Sequence, residues 1–369
     1  MLQKVALSVL VASGIQLSAP HCFGQNQKRE SRSIHPQSGG TEVKVVLSNL
    51  DSPWAVLPSP EGDLWITEKS GKISIYDAGF ELKHTLSGFP DMVAAGQGGL
   101  LDIAFHPRHA ENHWVYLAYT VGSPSTRHTR VTRFTWQNQT LTEPKIIVDG
   151  PEGSDNAHFG CRLVFDRQGY LYASFGERHQ KEKAQRLDSL HGKVVRLHDD
   201  GKIPTDNPFG PTNAIFTYGH RNPQGLDIHP ESGVLYVSEH GPSGYDAPPG
   251  GDEINVLSAG ANYGWPVIHH QMQQTGMRSP LLEYTPALAP SGAHFYTGDK
   301  IPAWKNNLFV AMLAGQSLLR VEIKNDGTIG QTEELFKGVY GRLRDVGQHS
   351  DGSLLVITDG GELLQISKN

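Results

Sequence analysis

A turn carrying Gly or Asn, an alternating or β-branched apolar run, a second turn and a second such run form a unit that occurs six times in this chain. The copies open at Gly62 (GDLWITEKSGKISIYD), at Asn112 (NHWVYLAYT, then TRVTRFTW) and at Gly169 (GYLYASFGER, then GKVVRLHDDG). Three more open at Gly233 (GVLYVSEHG, then DEINVLSAG), Asn307 (NLFVAMLAGQSLLRVEIKNDG) and Gly352 (GSLLVITDGGELLQISKN). Period-two alternation bounded by turn residues predicts strands. A small sheet of such strands cannot cover both of its faces alone. Repetition at roughly 45–75 residues suits propeller blades with insertions, where radial stacking covers every sheet. The expectation is therefore all-β: a six-bladed β-propeller of four-stranded antiparallel sheets. Val43–Leu50 is expected to add a strand to the last blade and close the ring. A pair of packed sheets is the alternative, and six similar units speak against it. No long segment has a 3.6-residue period; a short helical turn is expected near Ala184–Leu190.

The rest of the chain is arranged around this array. Residues 1–24 read as a secretory leader, with Lys4 as the positive start, Val5–Ile15 as a short apolar run and a small-residue exit ending at Gly24. That run is too short for a permanent bilayer-spanning helix. No stable membrane anchor is expected, and the mature chain is placed in the periplasm or outside the cell. Residues 25–41 are polar and rich in breakers, and a disordered linker is expected there. Residues 42–369 are left as the propeller domain. With Cys22 removed in the leader, Cys161 is a lone thiol and no intrachain disulfide forms. The net charge of −6 is mild, and no Lys/Arg run offers a phosphate-tracking face, so no nucleic-acid partner is expected.

The stretch His220–Pro266 is densest in groups that bind anions and hard cations. Arg221, Asn222 and Gln224 offer donors. Glu239, Asp246, Asp252 and Glu253 offer carboxylates, and the glycines among them free backbone carbonyls to point at an ion. The spacing is not that of an EF-hand loop, and Asp252 and Glu253 beside Gly250–Gly251 read on their own as a solvated acidic turn. Pro223 pushes Asn222 into an extended conformation, which holds Arg221 and Asn222 at the rim of the strand Gly225–Ile228. Arg221 can grip a ligand carboxylate through two parallel hydrogen bonds or lock blades by a salt bridge.

Three further positions carry candidate chemistry. His158, in NAHFGCRLVFDRQGYLY, precedes a strand and so lies on an end loop, where an imidazole can take a proton near neutral pH. Among 18 histidines, a capped surface histidine is the plainer reading. Gln97, in GQGGLLDIAFHP, lies between glycines that allow close backbone approach to a ligand, or that merely turn the chain into Leu100–Phe105. Arg342 and Arg344, in GRLRDVGQHSDG, are two apart and share one side of an extended chain. Two guanidiniums there repel unless they share an anion, and a polyanionic small molecule answers them better than Asp345 alone.

Seven pieces in order resemble the soluble quinoprotein sugar dehydrogenases, nearest the periplasmic aldose sugar dehydrogenase type that uses pyrroloquinoline quinone (PQQ). They are GQGGLLDIAFHP, HFGCRLVFDRQGYLYASFGE, LHGKVVRLHDDGKIPTDNPF, YGHRNPQGLDIHP, SEHGP, GGDEINVLSAGANYGWP and GRLRDVGQHSDGSLLVITD. The resemblance covers most of residues 42–369 and implies a six-bladed propeller. It implies His158 as the general base that takes the proton of the sugar's anomeric hydroxyl. Gln97, Arg221 and Asn222 would contact the quinone or the sugar beside it, and Arg342 and Arg344 would hold the cofactor's carboxylates. The backbone carbonyls of Gly241 and Pro242 would help hold the calcium ion that docks the quinone, and Glu253 with the backbone at Tyr263 matches another calcium-binding stretch. The implied reaction is hydride transfer from the sugar's C1 to the quinone, giving a lactone. No C-x-x-C-H haem motif is present, so an external electron acceptor is implied.

The sequence departs from that family at four places. The loop MLAGQS holds Ala314 and Gln316 where relatives place a lysine, leaving backbone contact from Leu313, Ala314 and Gly315. YDAPPG at Tyr245–Gly250 looks like an insertion, and Ile268–Leu282 looks short. Cys161 follows the Phe159–Gly160 pair where Gly or Ser is expected. Two other functions compete: a calcium-dependent lactonase with a carboxylate-held metal in the central tunnel, and a sugar- or partner-binding propeller that has lost cofactor affinity.

Overall fold

The computed structural model describes residues 31–32, 40–244 and 246–368. The leader at 1–24 and nearly all of the linker at 25–41 lie outside the described residues, as does Tyr245. The six sequence units become the middle of six antiparallel sheets. After β1 (Ser31–Arg32) and β2 (Thr41–Leu47), the first blade holds β3 (Pro53–Pro58), β4 (Leu64–Glu68), β5 (Lys72–Tyr76) and β6 (Leu82–Ser87). The second holds β7 (Leu100–Phe105), β8 (Trp114–Val121), β9 (His128–Gln137) and β10 (Thr140–Asp149), with the single-turn α1 (His109–Asn112) between β7 and β8. The third holds β11 (Leu163–Phe165), β12 (Leu171–Phe175), β13 (Lys193–Leu197) and β14 (Ile215–Tyr218). The fourth holds β15 (Pro223–Ile228), β16 (Leu235–Glu239), β17 (Asp252–Val256) and β18 (Leu282–Tyr284). The fifth holds β19 (Pro290–Phe295), β20 (Leu308–Met312), β21 (Ser317–Ile323) and β22 (Ile329–Leu335).

The sixth blade closes the ring. It holds β23 (Leu343–Gln348), β24 (Leu354–Thr358) and β25 (Leu363–Lys368), and takes its fourth strand from the other end of the chain. Thr41 pairs with Lys368 and Leu47 with Leu363, so β2 is zipped antiparallel onto β25. The expected strand at Val43–Leu50 thus begins two residues earlier. The short pair β1 lies outside it. The expected helical turn is a 3₁₀ turn at Lys181–Gln185.

Packing explains why the second strand of a blade is so apolar. Strands β4, β12, β16, β20 and β24 are buried at every residue. Each is covered on both faces by neighbouring blades, as with Trp65, Ile73 and Ile75 against Ala104, Tyr116 and Leu117. Burying one such side chain stabilises by about 1.5–3 kcal/mol. Asp252 and Glu253 are not on a solvated turn. They open β17, and both are drawn into the blade, where Glu253 faces Glu239 of β16 on one side and Glu283 of β18 on the other.

The meander also decides where loops go. In each blade the start of the first strand, the end of the second and the start of the third lie at one edge. The first strands of all blades adjoin around the axis. One rim of the ring therefore collects these three positions from every blade.

Candidate active site

Every site residue named from sequence reaches this rim. Gln97 precedes β7, His158 precedes β11, Arg221 and Asn222 precede β15, and Arg342 and Arg344 flank the start of β23. Gly241 and Pro242 follow β16, and Leu313 and Ala314 follow β20. Tyr263 lies in the connection after β17, which climbs back to the rim, where the Tyr263 N–H donates to Tyr218 O at 2.8 Å.

His158 is held from three sides. Its N–H donates to Gln97 Oε1 at 2.9 Å, and its Nδ1 is bonded to Glu177 Oε1, which follows β12. Its backbone is left-handed, with φ 52°, and fits because Gly176 behind it has no Cβ to strike the His158 carbonyl. Nε2 is left facing the rim, 3.3 Å from His179 Nε2. Burial first, then the Arg221 guanidinium and His179, hold the imidazole pKa far below its ordinary value. Burial raises that of Glu177, whose Oε2 is buried without a partner. A neutral imidazole backed by a carboxylate is the arrangement of a general base.

The paired arginines do share an anion within the chain, and it is not Asp345. Arg342 Nε donates to Asp359 Oδ2 at 2.9 Å and Arg344 Nε to Asp359 Oδ1 at 2.8 Å. Asp345 instead belongs to Arg162, at 2.9 Å. A third cation stands on the same rim: Lys69, just after β4, donates to Gly96 O at 2.8 Å. Partial burial, then Arg344, lower its pKa, while Asp359 opposes the shift. Two arginines thus share one carboxylate, with Lys69 within reach of their charge. Arg221 is committed to Asp246, at 2.9 Å, and its N–H donates to Glu239 Oε2, also at 2.9 Å. Asn222 is buried, accepting from Gln224 Nε2 at 3.2 Å. Leu313 donates its N–H to Ala289 O at 3.0 Å, which fixes the loop that carries Ala314.

Beside Arg221 the acidic residues form a compact group. Gly241, Pro242, Gly251, Glu239 and Glu253 line a cavity of about 10 Å³, room for one water or one ion. Burial, then the neighbouring Glu239 carboxylate, raise the Glu253 pKa well above the usual range. Glu239 accepts from His220 Nδ1 at 2.9 Å and Asn255 Nδ2 at 3.0 Å. Asp252 is structural: it accepts the N–H groups of Gly241, Leu288 and Ala289. The Tyr263 side chain turns away from the cavity, its hydroxyl donating to Val256 O at 2.5 Å.

Reading single motifs missed Lys69, Glu177, His179 and Asp359, and named Glu239 only as one carboxylate of the acidic stretch, without pairing it with Glu253. The repeats themselves carried a signal for three of these acids. Aligned on their second strands, ITEKSG, SFGERH, VSEHGP and ITDGG place Glu68, Glu177, Glu239 and Asp359 at or just after the strand end. Glu68 is buried at that position too, accepting from Ser74 Oγ at 2.7 Å.

Comparison with known proteins follows the same lines. The chain is 38% identical over 350 residues to the aldose sugar dehydrogenase YliI of Escherichia coli, covering 88% of this chain and 92% of that protein. The crystal structure of the soluble aldose sugar dehydrogenase of Escherichia coli in the apo form superposes with a TM-score of 0.82 at 36% identity, over 89% of this chain and all of that one. The PQQ-bound aldose sugar dehydrogenase of Streptomyces coelicolor superposes with a TM-score of 0.76 at 30% identity, over 89% of this chain and 98% of that one. The model of the glucose/sorbosone dehydrogenase family matches residues 50–365, nearly the whole ring, and the chain belongs to that family.

Proposed function

We propose that this protein oxidises aldose sugars at the anomeric carbon with PQQ as acceptor and calcium as the docking ion. The observation that carries the reading is one rim that brings the His158–Glu177 pair together with Arg342, Arg344 and Lys69. The residues present fit both groups. Two arginines that share the single carboxylate of Asp359, with Lys69 nearby, suit a polyanionic quinone. Two buried carboxylates on adjacent strands, with an ion-sized cavity and glycine backbone beside them, suit a hard divalent cation.

When bound, the quinone supplies the acceptor for the hydride from the sugar's C1, and calcium polarises the accepting carbonyl. The chain's part is position, charge and one proton. Glu177 occupies Nδ1 of His158, so Nε2 is the atom that takes the hydroxyl proton. As the imidazole becomes charged, the Glu177 carboxylate stabilises it. Loss of a hydride from C1 and a proton from its hydroxyl is a two-electron oxidation, and the product is the lactone. Gln97 keeps His158 in register through its backbone, and Lys69 supplies positive charge that the loop at Ala314–Gln316 lacks. A lactonase metal on the axis is disfavoured, because Asp102 and Asp345 there are both engaged by Arg162.

The test is reconstitution of the purified chain with calcium and PQQ. A bound-quinone spectrum with aldose-dependent dye reduction is expected. A chain that binds sugar but never reduces the dye overturns the reading. Arg342→Ala and Arg344→Ala should each weaken PQQ binding while leaving the fold intact. A charge-assisted hydrogen bond is worth about 1.5–3 kcal/mol, or roughly ten- to a hundred-fold in affinity; an unchanged titration midpoint in both variants refutes this placement. Chelation should also lower the melting temperature, because an ion held only by the folded chain stabilises it by mass action. A midpoint unmoved by exhaustive chelation, with no calcium copurifying, removes calcium from the proposal.

A further inference from the structure

On the opposite rim, Glu61, His109 and His113 bring three potential ligand atoms within 4.8 Å of one another. Glu61 lies in the turn between β3 and β4 of the first blade. His109 and His113 lie four apart, on and just after α1 in the second, a spacing that puts two imidazoles on one side of a helical turn. His113 is turned back by its left-handed backbone, φ 56°, its N–H donating to His109 O at 2.7 Å. The two rings stand 5.8 Å apart and perpendicular.

The tautomer of a neutral His109 is dictated by its surroundings. Its side chain is fully buried, edge-on to Phe105 at 5.1 Å. Its Nδ1 is 3.0 Å from Trp114 O. A carbonyl only accepts, so Nδ1 carries the proton, and in the neutral ring Nε2 is a bare lone pair. That Nε2 is buried with no hydrogen-bond partner. What faces it is the Glu61 carboxylate, Oε1 at 3.1 Å, so two acceptors meet with nothing shared between them. A His ring whose Nδ1–H is pinned to a carbonyl and whose Nε2 looks at a carboxylate is oriented as metal-bound imidazoles are. The 3.1 Å separation is close to the edge of a tetrahedral site with bonds of about 2.0–2.1 Å. Arg108, on the same turn, pairs with Glu111 rather than with Glu61.

We propose that Glu61, His109 and His113 bind a borderline divalent transition-metal ion of the zinc class, through two imidazoles and one carboxylate. The donor set is too rich in nitrogen for calcium and suits zinc. The ion would bridge the first and second blades on the rim away from the active site. It would leave a fourth position open to water and is independent of the quinone.

The test is calorimetric titration of Zn²⁺ into the full chain in buffer that keeps calcium in excess. A His179→Ala background removes the other His-rich cluster. One saturable site is expected, with a rise in melting temperature. Glu61→Gln and His113→Ala change exposed residues and should leave the fold intact. Each should weaken Zn²⁺ binding by about 100-fold or more, given that even residues which only orient a ligand are worth 10–100-fold, and should abolish the thermal shift. No saturable binding below millimolar Zn²⁺, or binding unchanged in both variants, overturns the proposal and leaves the His109–Glu61 contact a side-chain pair without a metal.

Discussion

His158→Ala should retain PQQ and calcium and lose turnover by roughly two to four orders of magnitude, the contribution of a positioned general base. The imidazole is hydrogen-bonded to Glu177 and His179 and to none of the rim cations, while the bond to Gln97 comes from the backbone N–H and survives the substitution, so its loss leaves the cofactor-binding groups in place. The pH profile sharpens the test. Burial, Arg221 and His179 keep the folded imidazole far below the ordinary histidine range. It stays neutral, and competent as a base, down through pH 6.5. The wild-type rate should therefore not fall across the usual histidine titration, contrary to what the residue type alone leads one to expect. Glu177→Gln should lower turnover less, and leave KM for the sugar nearly unchanged, because it acts through His158. Near-normal turnover in a quinone-loaded His158→Ala enzyme ends the assignment.

Arg162→Ala should cost about 3–5 kcal/mol of stability, the penalty for leaving buried charge uncompensated. Its guanidinium sits on the axis with 6% of the side chain exposed, 3.2 Å from Asp102 and 2.9 Å from Asp345. It also donates to Gln224 O at 2.7 Å and lies 4.0 Å above the Trp54 ring. The two carboxylates hold the Leu163 and Val56 N–H groups in turn, and Gly292 has no room for a Cβ against Asp345. Groups from all six blades thus meet at this one clasp. Burial already lifts the Asp102 pKa to about 6 and raises that of Asp345, with Arg162 opposing both shifts. A carboxyl whose folded pKa is raised binds more protons folded than unfolded, so it lowers stability as pH rises through that window. Without Arg162 the shift grows, and the variant should be more impaired at pH 8 than at pH 5. Denaturant unfolding at both pH values checks this; a loss below about 1 kcal/mol at pH 8 would show that the clasp does not hold the ring.

Legibility differed by strand. The middle pair of each blade was plain, because it is buried on both faces by its neighbours and so reads as apolar or alternating. The first strands were plain only in part: Leu100–Phe105 and the run Gly225–Ile228 were read as strands, but β11 has three residues, and in β23 Arg344 and Asp345 break the apolar alternation. β10 exposes most of its side chains, so it has little burial to write into its sequence. The acidic start of β17 was misread for the same reason: two carboxylates after two glycines look solvated, and only the pairing of Glu253 between Glu239 and Glu283 puts them inside a sheet. The lone Cys161 is a buried free thiol, and Cys22 lies outside the described residues.

The sequence by itself determined the number of blades, the closure by the N-terminal strand, and which histidine and which arginine pair stand at the strand ends where the proposed chemistry is placed. Local alternation, turn chemistry and repetition are properties of short stretches, and they survive without knowledge of what packs on them. Only the tertiary structure decided which charges meet. That Arg342 and Arg344 share Asp359 follows from two adjacent strands of one blade, whereas the pairing of Asp345 with Arg162 and the arrival of Lys69 on the arginines' rim join parts of the chain from different blades. The partner of a charge is set by distance and burial in three dimensions, and neither is carried by spacing along the chain.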